Sequence, residues 1–303
     1  MAKGLEETVP LEAVSVPNKG LAVVMGDYDG FVSQDVRVSP AAGTYVPAMG
    51  STGALSVAAA KPEVWVRAAA KIYRSANSGA QWSELPRPNA QTGGRVALSA
   101  DGNVLVWTPD KSTTAYRTAN AGAQWSPVGG VNFGGPIVAD SVNPARFYAY
   151  NPASGSVLLS NDGAASFTSG ANAGSGGAAK VRTAPGVEGE LWIPLYNGGL
   201  ARSSDGGKAF SKVAGVTQCG AVGFGKAAPG QTFPTVFIWG KTNSGPSGIY
   251  RSLDAGASFQ RVNDDQHQFG GPGNGQFVSG DANVFGRVYM STAGLGVVYG
   301  EPG

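Results

Sequence analysis

Hydrophobic residues fall in short runs, "AVVMG", "VLVWT", "RFYAY" and "TVFIWG" among them, each closed off by Gly, Pro, Asn or Asp. Runs of four to six apolar residues between turn formers are strand-sized, and nowhere does an apolar stripe keep a helical period over three turns. The pattern predicts an all-β chain. Between many of the runs lies a recurring polar turn. Its cleanest copy, "SLDAGASF" at residues 252–259, follows the strand "GIYRS". Related copies begin at Ser75, Thr118, Ser160 and Ser203, so successive copies stand 43, 42, 43 and 49 residues apart. A period of that size suits one four-stranded propeller blade.

The residue types of the turn explain its recurrence. An Asp or Asn (Asn77, Asn120, Asp162, Asp205, Asp254) can fold its side-chain oxygen onto nearby backbone amides. A Gly (Gly79, Gly122, Gly207, Gly256) supplies a positive φ. A closing ring (Trp82, Trp125, Phe167, Phe210, Phe259) buries itself between neighbouring units. Ala164 stands at the Gly position of the third copy, the one beginning at Ser160, which predicts a slightly irregular turn there. The motif resembles the Asp box of sialidase-like propellers. Because it returns five times along the chain, it reads as a structural staple rather than a site.

The repeat divides residues 1–303 into a single seven-bladed β-propeller, with blades near 11–49, 51–89, 93–130, 135–170, 178–215, 219–263 and 276–300. The last has room for three strands, so a segment near residues 5–10 is expected to supply the fourth and close the ring. Antiparallel order puts the polar repeat turns and the first-to-second turns on one face. The second-to-third loops and the blade connections fall on the other. On that second face the ends of the second strands bring Met25, Trp107, Tyr150, Tyr196 and Trp239 to equivalent positions, with Asp27 two residues beyond Met25. Four aromatics and a carboxylate around one face suit stacking on sugar rings, with polar groups fixing orientation.

Composition narrows the class. The chain has 47 glycines and only 14% charged residues, and its net charge of +2 comes without basic clusters, which argues against a nucleic-acid partner. No apolar run is long enough to span a membrane. The single cysteine, Cys219, excludes an internal disulfide. The N-terminus "MAKGLEETVP" lacks the apolar stretch of a signal peptide, so the chain is either cytoplasmic or a piece of an exported protein.

Several stretches together resemble a known family. "GLEET" at 4–8, "GDYDGF" at 26–31, "DVRVSP" at 35–40, "GSTGALSVAAAKPEVWVR" at 50–67 and the ending at 261–302 look like the second propeller of glycoside hydrolase family 74, the xyloglucanases. The resemblance implies an enzyme of two seven-bladed propellers facing each other across a cleft. It implies that Asp27 is the general acid of an inverting endo-β-1,4-glucanase acting on xyloglucan or a related β-glucan. Tyr28, Asp29, Phe31, Trp107, Tyr150, Tyr196, Trp239 and His267 would then line the glycan cleft. The base would come from a first propeller, and the parent protein would be secreted or periplasmic. Two features depart from the family: Ser33 stands where a His is common, and the loop at 67–71 is short.

Other chemistries fit less well. His267, the one histidine, sits in a connection and reads as a surface or substrate hydrogen-bonding residue. Asp264, Asp265 and Asp281 have the carboxylate count of a calcium site but suit strand-end turns, so no metal and no cofactor is expected. "FGGPGNG" at 269–275 lacks the Lys-Ser/Thr ending of a phosphate loop, and no Gly-x-Ser-x-Gly elbow has a histidine partner. The alternative to catalysis is a propeller that binds glycan or protein through the same face, with an assembly-factor propeller ranked last.

Overall fold

A computed structural model describes residues 8–302 apart from Ala179. Among these residues every regular element is a strand, arranged in seven antiparallel sheets. The sheets span 10–33, 54–85, 95–127, 137–172, 182–212, 216–261 and 278–300. Five sheets have four strands; the first and last have three. Neighbouring sheets pack in sequence order, and the seventh packs on the first, which makes a closed ring. No helix among the described residues is long and apolar enough to cross a membrane, a statement that does not bear on β-barrels.

The ring follows from strand alternation. In the second strand of blade 1, Gly20–Met25, residues Leu21, Val23 and Met25 face blade 7, while Ala22 and Val24 face blade 2. Repeated around the ring, this two-sided apolar pattern gives seven small cores, each between two adjacent blades, rather than one central core. The closing aromatics of the repeat pack into them: Trp82 between blades 1 and 2, Trp125 between 2 and 3, Phe259 beside Trp192 between 5 and 6. Burying one such ring contributes roughly 1.5–3 kcal/mol.

The repeat turns form one hydrogen-bonded unit. In the copy at 252–259, Ser252 Oγ donates to Asp254 Oδ1 (2.7 Å) and accepts the Gly256 amide (2.8 Å), while Asp254 Oδ1 accepts the Ser258 amide (2.9 Å). The serine is therefore as much a part of the staple as the Asp. The Ser160 copy corrects one expectation. Ala164 takes φ of +60° and its amide still bonds Ser160 Oγ at 3.0 Å, so the turn is regular.

Where the ends of the ring meet, Thr8 pairs with Gly294 and Leu295. The remainder of the closing segment expected near residues 5–10 lies, up to residue 7, outside the described residues. On the opposite face the same two blades are joined by Asp281. It accepts from Ser15 Oγ, the amides of Asn283 and Val284, Arg287 and Tyr289 Oη. Asp281 is thus a buried structural acceptor, far from any cation role.

First strands line an axial cavity of about 1190 Å³. Across it reaches an ion cluster that the sequence reading did not single out. Glu12 of blade 1 is bonded by Lys180 Nζ (2.8 Å) and by Arg182 (2.8 Å) from blade 5. Burial alone would push the Glu12 carboxyl up; Arg182 and Lys180 outweigh it and hold the group down at about 2.

Candidate functional site

The second strand of blade 1 ends at Met25 and the third begins at Gly30, and residues 26–29 turn between them on the face opposite the repeat turns. Gly30 has φ of +118°, and a Cβ there would stand 2.1 Å from Val23 O, so only glycine lets the third strand start here. At the front of the turn, Gly26 N donates to Val9 O and Val9 N donates to Asp27 Oδ2, both at 2.7 Å. Among the described residues this amide is the one hydrogen-bond partner of the Asp27 carboxylate, whose side chain is exposed.

Two residues on, Asp29 is different. It is 3% exposed and accepts from the amides of Met49 (2.7 Å) and Gly50 (3.1 Å), from Thr52 Oγ1 (3.1 Å) and from Arg67 (3.1 Å). Buried and bonded by four protein donors, it presents no accessible oxygen to a substrate, which corrects its assignment to the cleft. Its neighbourhood also removes it as a bare like charge beside Asp27, because Arg67 neutralises it at close range. Arg67 itself is fully buried, stacked among Tyr45, Tyr73 and Trp82 at 4.8–5.2 Å, and also donates to Pro47 O. Tyr28 and Phe31 are half-buried against the core shared by blades 1 and 7. Ser33 lies buried at the far end of its strand, away from Asp27, so the departure there does not touch this turn.

The aromatics at the ends of the second strands divide into two kinds. Trp107 is fully buried, its Nε1 donating to Gly93 O at 2.8 Å. Tyr150 is 1% exposed and bonds Gly174 O at 2.7 Å. Neither ring presents a face to solvent, so both are lids on the blade cores, not stacking platforms. The inward swing has a structural cause: blade-to-blade connections, through Gly93 and Gly174, offer each polar tip a carbonyl partner.

Tyr196 remains accessible and Trp239 is half-buried. Tyr196 is 41% exposed, with φ of +47°, and is held by paired backbone bonds to Cys219 (2.7 and 2.9 Å). Its hydroxyl donates to Gln276 Oε1 at 2.6 Å. A Cβ on Gly220 would lie 3.7 Å from the Trp239 ring and 3.9 Å from the Tyr196 ring, so the two rings flank this glycine. On the same face, exposed His267 bonds Asp264 through Nδ1 at 2.7 Å, and that bond holds the Asp264 carboxyl below its usual range. Gln276 was not foreseen; an isolated Gln in a glycine-rich connection carries no pattern. Arg67 did leave a signal, as the one charge near the end of the apolar run "VWVRA". Among the described residues no three His, Cys, Asp or Glu side chains gather to hold a metal.

No family model matches the chain. It is 35% identical over 323 residues to a xyloglucanase of a Paenibacillus species, covering all of this chain and 31% of that protein. To a xyloglucanase of Acetivibrio thermocellus it is 37% identical over 312 residues, covering 99% of this chain and 36% of that one. The crystal structure of a GH74 enzyme from Niastella koreensis superposes with a TM-score of 0.94 at 42% identity, over 98% of this chain and 44% of that one. The chain thus spans about a third of the length of the curated relatives it matches. Over its whole length it is homologous to a part of the xyloglucanases of glycoside hydrolase family 74.

Proposed function

We propose that this propeller supplies the general acid and part of the glycan cleft of an inverting endo-β-1,4-glucanase acting on xyloglucan, as the C-terminal of two propellers. Asp27 is the acid. The observation that supports this best is its situation: an exposed carboxylate, oriented by the Val9 amide, on the one face that also carries Tyr196, Trp239 and His267. Whole-length similarity to xyloglucanases supports the substrate class.

In this reading a glucan chain lies across that face, its apolar sugar faces against Tyr196 and Trp239. Asp27, protonated, gives its proton to the glycosidic oxygen as the bond to the anomeric carbon breaks. A water attacks the opposite side of the sugar and yields its proton to a second carboxylate, roughly 6.5–9.5 Å from the first. That base belongs to the other propeller. Enclosure by the other half of the cleft favours the protonated form of a carboxyl, which acid catalysis requires. A polymer substrate fits an exported parent enzyme.

The test pairs the chain with a first propeller and assays xyloglucan. Asp27→Asn keeps the shape but has no proton to give, so kcat should fall by about 10²–10⁴-fold. Retained cleavage contradicts the assignment. Binding without cleavage under every pairing favours a non-catalytic glycan-binding propeller instead.

A further inference from the structure

We propose that Arg67, acting through Asp29, is a positioning residue that sets the direction of the Asp27 carboxyl; this rests on the reading of Asp27 as the acid. The turn at 26–29 is held at two places. Val9 grips its front through two backbone-anchored bonds, one of them to Asp27 itself. Asp29 anchors its back, joined to the 49–52 segment by three bonds and to blade 2 by Arg67. Only Tyr28 separates Asp27 from that anchor along the chain.

The Arg67–Asp29 pair is an expensive way to hold a fold together. Its side chains are 0% and 4% exposed, and Arg67 Nε is buried with no hydrogen-bond partner among the described residues. Burial pulls the guanidinium below its usual range, with Asp29 opposing. Buried ion pairs replaced by apolar residues of like volume often leave a protein no less stable, so stability alone does not account for the charge. Directional restraint does. An Arg fork clasped by three aromatic rings has little freedom, and it passes that rigidity to the carboxylate it holds. Proton transfer to a glycosidic oxygen is sensitive to displacements of about 1 Å.

Leaving-group dependence separates positioning from folding. Cleavage of xyloglucan expels an alkoxide that needs the acid's proton. An aryl glycoside of a xyloglucan oligosaccharide, with a chloronitrophenolate leaving group, departs without it. In the chain paired with its completing propeller, Arg67→Met should lower kcat on xyloglucan about 10- to 100-fold with KM little changed. Turnover of the aryl glycoside should stay within about threefold of wild type. Thr52→Val removes one Asp29 donor without disturbing the buried charge, and should give a smaller loss of the same selective kind should Arg67→Met not fold. Arg67→Lys keeps the charge but not the fork, and should restore only part of the polymer activity. Equal losses on both substrates, or full activity on both in Arg67→Met and Thr52→Val, overturn the proposal. If Asp27→Asn leaves polymer cleavage intact, the acid assignment fails first. If Asp27→Asn spares only the aryl glycoside while Arg67→Met spares neither, the acid stands and the positioning link alone falls.

Discussion

Ser252 and its counterparts in the other repeat turns are the most economical residues in the molecule: one buried hydroxyl both donates and accepts. Removing it orphans the Gly256 amide and leaves Asp254 Oδ1 without its hydroxyl donor. Ser252→Ala should therefore cost about 1–3 kcal/mol, seen as a lower urea midpoint with an unchanged slope. An unchanged midpoint would mean that water replaces the hydroxyl. At this scale the sequence was informative about turns and poor about the cleft. The Ser-x-Asp/Asn spacing announced the staple because its partners are local, within a few residues. Whether Trp107 points into the core or Tyr196 out of it depends on what a blade-to-blade connection offers the polar tip, Gly93 O in one case and Gln276 in the other. Those partners are set by folding, not by spacing.

The third-to-fourth turn recurs in the five four-stranded blades, and in the copy at 252–259 its glycine is constrained twice. Gly256 has φ of +86°, and a Cβ there would stand 2.7 Å from the Trp192 ring. Gly256→Ala should destabilise by about 1–2 kcal/mol, through backbone strain together with displaced packing, and thermal unfolding should register it. Ala164 shows that strain alone is tolerated. With φ of +60° it keeps the turn's bonds and is itself packed in the core between blades 3 and 4. The repeat sets the phase of the blades, and where it is missing that guide is lost. The first blade was not read fully: residues 34–53 form no fourth strand, and the segment is instead gathered around Asp29, with Tyr45 bonded to Gly30 O and Phe31 O.

At the scale of the whole ring, Glu12 ties blade 1 to blade 5 across the axis. Its carboxyl is depressed from 4.5 to about 2, so the stability it contributes is in place above about pH 4.5 and is lost as pH falls toward 2. Lys180, whose ammonium burial pulls below its usual range, offsets part of that gain. Glu12→Gln should be less stable than wild type at pH 7 by on the order of 1–3 kcal/mol, with the two stability curves converging near pH 2. Parallel curves would show that the cluster contributes nothing electrostatic. The division of the disc into a stapled face and an open face is the claim on which the functional reading depends. Isothermal titration of the chain with xyloglucan oligosaccharides tests it most directly. The account predicts measurable binding that weakens in Tyr196→Ala and Trp239→Ala, by about 1–3 kcal/mol for each lost stacking ring, and stays unchanged in Asp205→Ala on the opposite face. Absence of binding, or binding that ignores both aromatic substitutions, would contradict it.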